Sequence, residues 1–166
     1  MTNPSLAVWP SEHDGHVRSE VSAVVGQGDA VWSRVSRDVL RWKVKTRSGF
    51  TVGGDEPAKP GVRLTITFRI LGITIREPVE VVDVHASPTR VGFSYRTLPG
   101  HPVSGEEAFI VSRVGDEVVL TVRSLTKPSP QQPWRAMFPA LRVAQLVVRR
   151  RYLRALRDTG WRPGHV

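Results

Sequence analysis

Val62, Leu64, Ile66, Phe68 and Ile70 alternate with Arg63, Thr65, Thr67 and Arg69. Successive strand residues point to opposite sides, so this two-residue period predicts a strand with one buried and one wet face. The pattern then repeats with little chain between the repeats. A strand is predicted over 73–84, bent at Pro78, which has no N–H for a ladder. Others follow at 90–97, 107–114 and 117–126. The links are a Leu71-Gly72 turn, Ala86-Ser87-Pro88, a Pro/Gly-rich loop and Gly115-Asp116. Connections this short cannot carry crossovers, so the strands must form an antiparallel meander.

Upstream, Val17, Ser19, Val21, Ala23 and Val25 alternate with Arg18, Glu20 and Ser22, which predicts a half-buried strand ended by Gly26-Gln27-Gly28. Asp29 is the expected N-cap of a helix over about 30–40. Trp32, Val35, Val39 and Trp42 fall on one helical stripe as core anchors. Residues 43–61 read as an irregular connection broken by Ser48-Gly49, Gly53-Gly54, Pro57, Pro60 and Gly61. Gly53-Gly54 is no phosphate loop, because no Gly-Lys-Ser/Thr follows into a helix.

After a Pro-rich linker at 127–133, a long helix is predicted from about 134 to 158, with Pro139 in its early part. Met137, Leu141, Ala144, Val148, Tyr152 and Ala155 form its expected buried stripe. Arg135, Arg142, Arg149 and Arg157 are expected opposite it. A helix this long needs a wide apolar surface, and the antiparallel sheet is the one candidate. The fold class is therefore α+β, a curved antiparallel sheet wrapped around a long C-terminal helix. The expected organisation is an arm at 1–16, a single domain at 17–160 and a tail at 161–166, with Trp9 of the arm docking on the body.

Of 166 residues, 24 are Lys or Arg and 15 Asp or Glu, a formal charge of +9, with much of the excess near the C-terminus. There is no cysteine, which removes disulfides, thiolate nucleophiles and cysteine-ligated zinc. No long apolar run marks a signal peptide or membrane span, so a cytoplasmic protein is expected.

Potential chemistry concentrates between Gly92 and Phe109. Leu98-Pro99-Gly100-His101 fits a type II turn, proline presetting φ at the second position and glycine accepting the positive φ at the third. Strand alternation groups Tyr95 and Thr97 on one face. If that is the face of Glu107 and Phe109, then Tyr95, Thr97 and Glu107 converge with His101 at the rim, while Arg96 pairs with Glu106 behind. The expected ligand-binding set is Tyr95, Thr97, His101, Glu106, Glu107 and Phe109.

The stretch Tyr95-Arg96-Thr97-Leu98-Pro99-Gly100-His101-Pro102, followed by Gly105-Glu106-Glu107 and Phe109, resembles an uncharacterised family, domain of unknown function nineteen-ninety. The similarity continues through Pro139, Arg142, Gln145 and Tyr152-Leu153, and reaches back to Val25-Gly26-Gln27-Gly28 and Trp42. Arg96 stands where that family often has glycine. The family's layout is similar to the START-like (SRPBCC) helix-grip class of lipid carriers, hormone receptors and aromatase/cyclases. The resemblance implies a cavity between sheet and helix for a small apolar or aromatic molecule, and no particular reaction.

Two alternatives stand beside that reading. In one, His101 acts as acid or base with Glu107 orienting it. In the other, the C-terminal arginines bind nucleic acid or an acidic partner; this is not favoured, since no aromatic residues interleave with them to stack on bases. His101, Glu106 and Glu107 match no standard metal spacing, so neither metal nor cofactor is expected.

Overall fold

A computed structural model describes residues 1–10, 15–54, 56–70 and 72–157. The predicted tail at 161–166, the last residue of the helix expected to reach 158, and Leu71 of the predicted turn lie outside them. The chain runs β1 (Val17–Gln27), α1 (Gly28–Leu40), α2 (Lys43–Thr46), β2 (Thr51–Val52), β3 (Arg63–Ile70), β4 (Ile73–Ala86), β5 (Arg90–Thr97), β6 (Val103–Val114), β7 (Glu117–Pro128) and α3 (Trp134–Ala155). The strands form one seven-stranded sheet in the order β1-β7-β6-β5-β4-β3-β2. Every pairing is antiparallel. The long helix lies across β7, β6 and β1, and α1 covers β5 and β6. This is an α+β helix-grip arrangement, an antiparallel sheet closed over a long C-terminal helix.

The core sits on the helix-facing side of the sheet. Val31, Val35 and Val39 of α1 are buried there against Phe93, Tyr95, Phe109 and Val111. Each such side chain contributes roughly 1.5–3 kcal/mol on leaving water. Trp42 meets Phe93 edge-on with ring centroids 4.5 Å apart. It lies beyond the end of α1 rather than on its stripe, at φ 60°. Left-handed backbone costs a bulky residue about 1–2 kcal/mol, which burial of the indole offsets. That reversal starts α2 inside the stretch read as irregular and aims Lys45 inward.

Several local expectations are corrected. Asp29 is not a cap: Gln27 holds the N-cap position without a side-chain bond, and Asp29 pairs with Arg113. The return strand begins at Val103 rather than 107, because the ladder with β7 runs on through Val103↔Pro128. In β4, Pro78 stays opposite Thr65, and the register with β5 slips further on, between Val81 and Asp83.

The arm packs on the outer face of the sheet. The buried guanidinium of Arg123 donates to the carbonyls of Asn3 and Leu6 at 2.9 Å and of Ala7 at 3.1 Å, and bonds Glu20 at 2.8 Å. Trp9 is buried against the Arg18 and Arg123 guanidinium groups.

Candidate functional site under the last helix

A single row of side chains across four strands organises the inner face. Val81 of β4 stands opposite Tyr95 of β5, Tyr95 opposite Glu107 of β6, and Glu107 opposite Ser124 of β7. Residues directly opposite in antiparallel strands project to the same side, so the phenol and the carboxylate are on one side of the sheet, and Tyr95 donates its hydroxyl proton to Glu107. Below the row lies a cavity of about 100 Å³ between the sheet, α2 and α3. Phe50, Phe68, Ile75, Val103, Leu141 and Val148 supply apolar wall, and the polar groups gather around Glu107.

Lys45 is the centre of that cluster. Its Nζ lies 3.1 Å from Glu107 and 3.8 Å from Glu77. It also sits within 4.7–5.8 Å of the ring centroids of Phe50, Tyr152, Tyr95 and Phe109. An ammonium almost wholly out of water needs such partners, since an unpaired buried charge is several kcal/mol uphill.

The Leu98-Pro99-Gly100-His101 turn closes with His101 N donating to Leu98 O at 3.1 Å, and Gly100 has φ 98°. His101 is buried. Its Nδ1 accepts from Val103 N–H at 3.1 Å, so the neutral ring carries its proton on Nε2. Nε2 faces Glu77 at 4.0 Å, beyond direct hydrogen bonding. Burial, helped by the Lys45 charge, pushes the imidazole pKa down to about 3. Burial thus holds His101 neutral near pH 7, and its carboxylate neighbour is Glu77 rather than Glu107.

Burial pushes the Glu77 carboxyl above its ordinary value, with Glu107 adding to the shift and Lys45 opposing it. Burial first, and Glu107 second, raise both Tyr95 and Tyr152 well above the usual phenol range.

The expected ligand-binding residues divide. Tyr95, Thr97, His101 and Glu107 line the cavity. The Thr97 hydroxyl accepts from Gly105 N–H at 2.9 Å, tying the two strands of the hairpin together. Phe109 is completely buried behind the cavity, edge-on to Tyr152 at 5.1 Å, and is core rather than lining. Glu106 borders the cavity, but its carboxylate accepts from Thr2 N–H at 2.7 Å and from the Thr2 hydroxyl. Arg96, opposite Glu106 in register, pairs instead with Glu80 at 3.0 Å. The candidate metal set of His101, Glu106 and Glu107 is thereby split between two faces of the sheet.

Lys45, Glu77 and Arg149 were not in the sequence-derived set. Arg149 was expected opposite the buried stripe, yet it lines the cavity and donates to Ser124 Oγ at 2.8 Å. Leu141, Ala144, Val148 and Tyr152 of the expected stripe line the cavity and Ala155 packs on the core, but the inward face also takes in Gln145 and Arg149, and Met137 is exposed.

A family model described as domain of unknown function (DUF1990) matches residues 5–155. The chain belongs to this family. A UPF0548 protein of Arabidopsis thaliana is 26% identical over 125 residues, covering 71% of this chain. The matched stretch is 61% of that relative's own length. Among solved structures, a hypothetical protein of Helicobacter pylori superposes with a TM-score of 0.60 at 16% identity, covering 94% of this chain and 96% of that one. A protein of Mycobacterium smegmatis gives a TM-score of 0.60 at 13% identity, covering 89% and 93%. At these identities the likeness is one of fold. No helix of this DUF1990 chain, among the described residues, is long and apolar enough to cross a membrane.

Proposed function

We propose that the protein binds a small apolar or aromatic molecule in the cavity under α3, with a carbonyl or carboxylate of that molecule directed at His101 Nε2–H and the Arg149 guanidinium. The supporting observation is the lining: Phe50, Phe68, Ile75, Val103, Leu141 and Val148 around about 100 Å³ of space, with Lys45, Glu77, Glu107 and Tyr95 linked into one polar cluster in the same wall. Protein interiors are otherwise close-packed, so unfilled space beside an ordered polar cluster argues for an occupant. The volume limits the enclosed part of that occupant to about one ring, since a cavity near 150 Å³ accepts benzene. Glu107 is already engaged by Lys45 and Tyr95. Lining donors beyond those contacts include His101 Nε2–H and the Arg149 nitrogens not bonded to Ser124. Donors select an acceptor-bearing ligand, because leaving a buried donor unpaired costs about 1–3 kcal/mol.

A thermal-shift titration with toluene, acetophenone and benzoate tests this. Saturation at about one hundred times Kd stabilises by ~2.7 kcal/mol, a rise of roughly 5–10 °C for a chain of this size. The acceptor-bearing rings bind about tenfold tighter than toluene, the worth of one hydrogen bond. V148W fills the cavity and abolishes the shift while leaving the polar side chains unaltered. No shift with any of the three, or equal shifts in wild type and V148W, defeats the reading.

A further inference from the structure

The helix that closes the cavity has a second face. α3 carries arginines at 135, 142, 149, 150, 151 and 154 and no Asp or Glu. Arg149 turns inward, whereas Arg135, Arg142, Arg150, Arg151 and Arg154 are exposed. Between them Val143, Leu146 and Val147 are 63%, 57% and 52% exposed. Val143, Val147, Arg150 and Arg154 recur at three- and four-residue steps, so aliphatic and cationic side chains share one continuous strip. Arginine next to exposed aliphatic surface, on a helix too polar to span a bilayer, is the composition that lies in the headgroup boundary of an anionic membrane.

The competing occupants fit less well. A two-fold contact with a second copy would set this acid-free helix against itself, arginine facing arginine. A nucleic acid would leave the aliphatic ridge without a partner, and the strip offers no aromatic ring on which bases stack.

We propose that the outward face of α3 is a docking surface for anionic lipid bilayers. Val143, Leu146 and Val147 enter the headgroup boundary, and Arg142, Arg150 and Arg154 hold lipid phosphates while their stems cover the apolar edge. Docking through this face lays the cavity's own wall along the membrane. It requires nothing of the cavity's contents, so it can fail or succeed independently of ligand binding.

Flotation of the purified full chain with two vesicle types decides the matter: phosphatidylcholine alone, and phosphatidylcholine mixed with phosphatidylserine. At low ionic strength the protein floats with the anionic vesicles only. R142Q/R150Q/R154Q weakens that binding about a hundredfold, at roughly fivefold per surface cation. V143S/L146S/V147S weakens it about tenfold or more. All six positions are exposed, so the melting temperature of both variants stays at the wild-type value; if either triple variant fails to fold, R150Q and L146S alone read the same effects in smaller steps. Absence of flotation with anionic vesicles overturns the proposal. So does flotation that ignores the serine exchanges, which would be charge alone. Retention of an RNA or DNA duplex without vesicle binding, unchanged by those exchanges, would reassign the face to nucleic acid.

Discussion

Lys45 Nζ and the Glu107 carboxylate lie 3.1 Å apart although 62 residues of chain separate them in sequence number, one on a four-residue helix and the other in the middle of the sheet. The pair is shielded from water by aromatic rings and joined by the Tyr95 hydroxyl. Breaking a buried ion pair from one side leaves the other charge unpaired, which costs far more than the pair is worth. K45M is thus expected to destabilise by about 3 kcal/mol. K45M/E107Q is expected to recover at least half of that. Urea midpoints of the two variants and of E107Q close the cycle; strictly additive effects would show that the contact carries no coupling.

His101 makes acid stability an experiment on one residue. Its folded pKa, about 3, lies below the ordinary 6.5, so the unfolded chain binds the proton more readily between those values. Its contribution is complete above pH 6.5 and is lost as pH falls toward 3, on the order of 5 kcal/mol in all. H101Q removes the slope across that window. A wild-type urea midpoint that stays flat from pH 6.5 to 4 while H101Q behaves identically would show that the ring is not held neutral by the fold.

Glu77 acts with the opposite sign. Its folded pKa is raised, so its stabilising contribution is present below the unfolded carboxyl pKa and is lost as pH rises through the folded value. E77Q is therefore expected to stabilise the protein at neutral pH and to change little in acid. Thermal melts of E77Q and wild type across the pH range read the difference directly, and a neutral-pH loss in E77Q would contradict it.

Gly105 is a position where no other residue fits. Its φ is 151°, and a Cβ would stand 1.8 Å from the Leu125 carbonyl oxygen of the neighbouring strand. G105A must push β6 and β7 apart and is expected to cost about 3 kcal/mol or more. Gly61 has φ 83° but open space around it, so G61A is expected to cost only about 1 kcal/mol. Equal losses in the two variants, measured by chemical denaturation, would mean that the close approach is not the cause.

Arg123 holds the arm through a fan of backbone carbonyls rather than through another side chain's charge alone. R123M leaves those carbonyls short of a donor and is expected to release residues 1–10. Amide exchange of the arm is then expected to quicken about tenfold or more, in keeping with the loss of more than one hydrogen bond. Slow exchange retained in R123M would place the arm's anchor at Trp9 or Glu106 instead.

Much of this architecture was legible in the chain. The alternation from Val62 to Ile70 and its successors dictated antiparallel strands, and the Pro99-Gly100 turn set the hairpin that aligns Tyr95 with Glu107. Periodicity could do this because a strand or helix half out of water must repeat its apolar residues at the period of its own geometry. Lys45, Glu77 and Arg149 were invisible by the same rule. A polar side chain facing a cavity has the same sequence signature as one facing water, and Lys45 lies in a stretch with no period at all. Only tertiary packing decided that α2 would turn inward at Trp42 and that Arg149 would join the inward face of α3. Those two choices depend on how whole surfaces fit together, and with them came the charges that line the cavity.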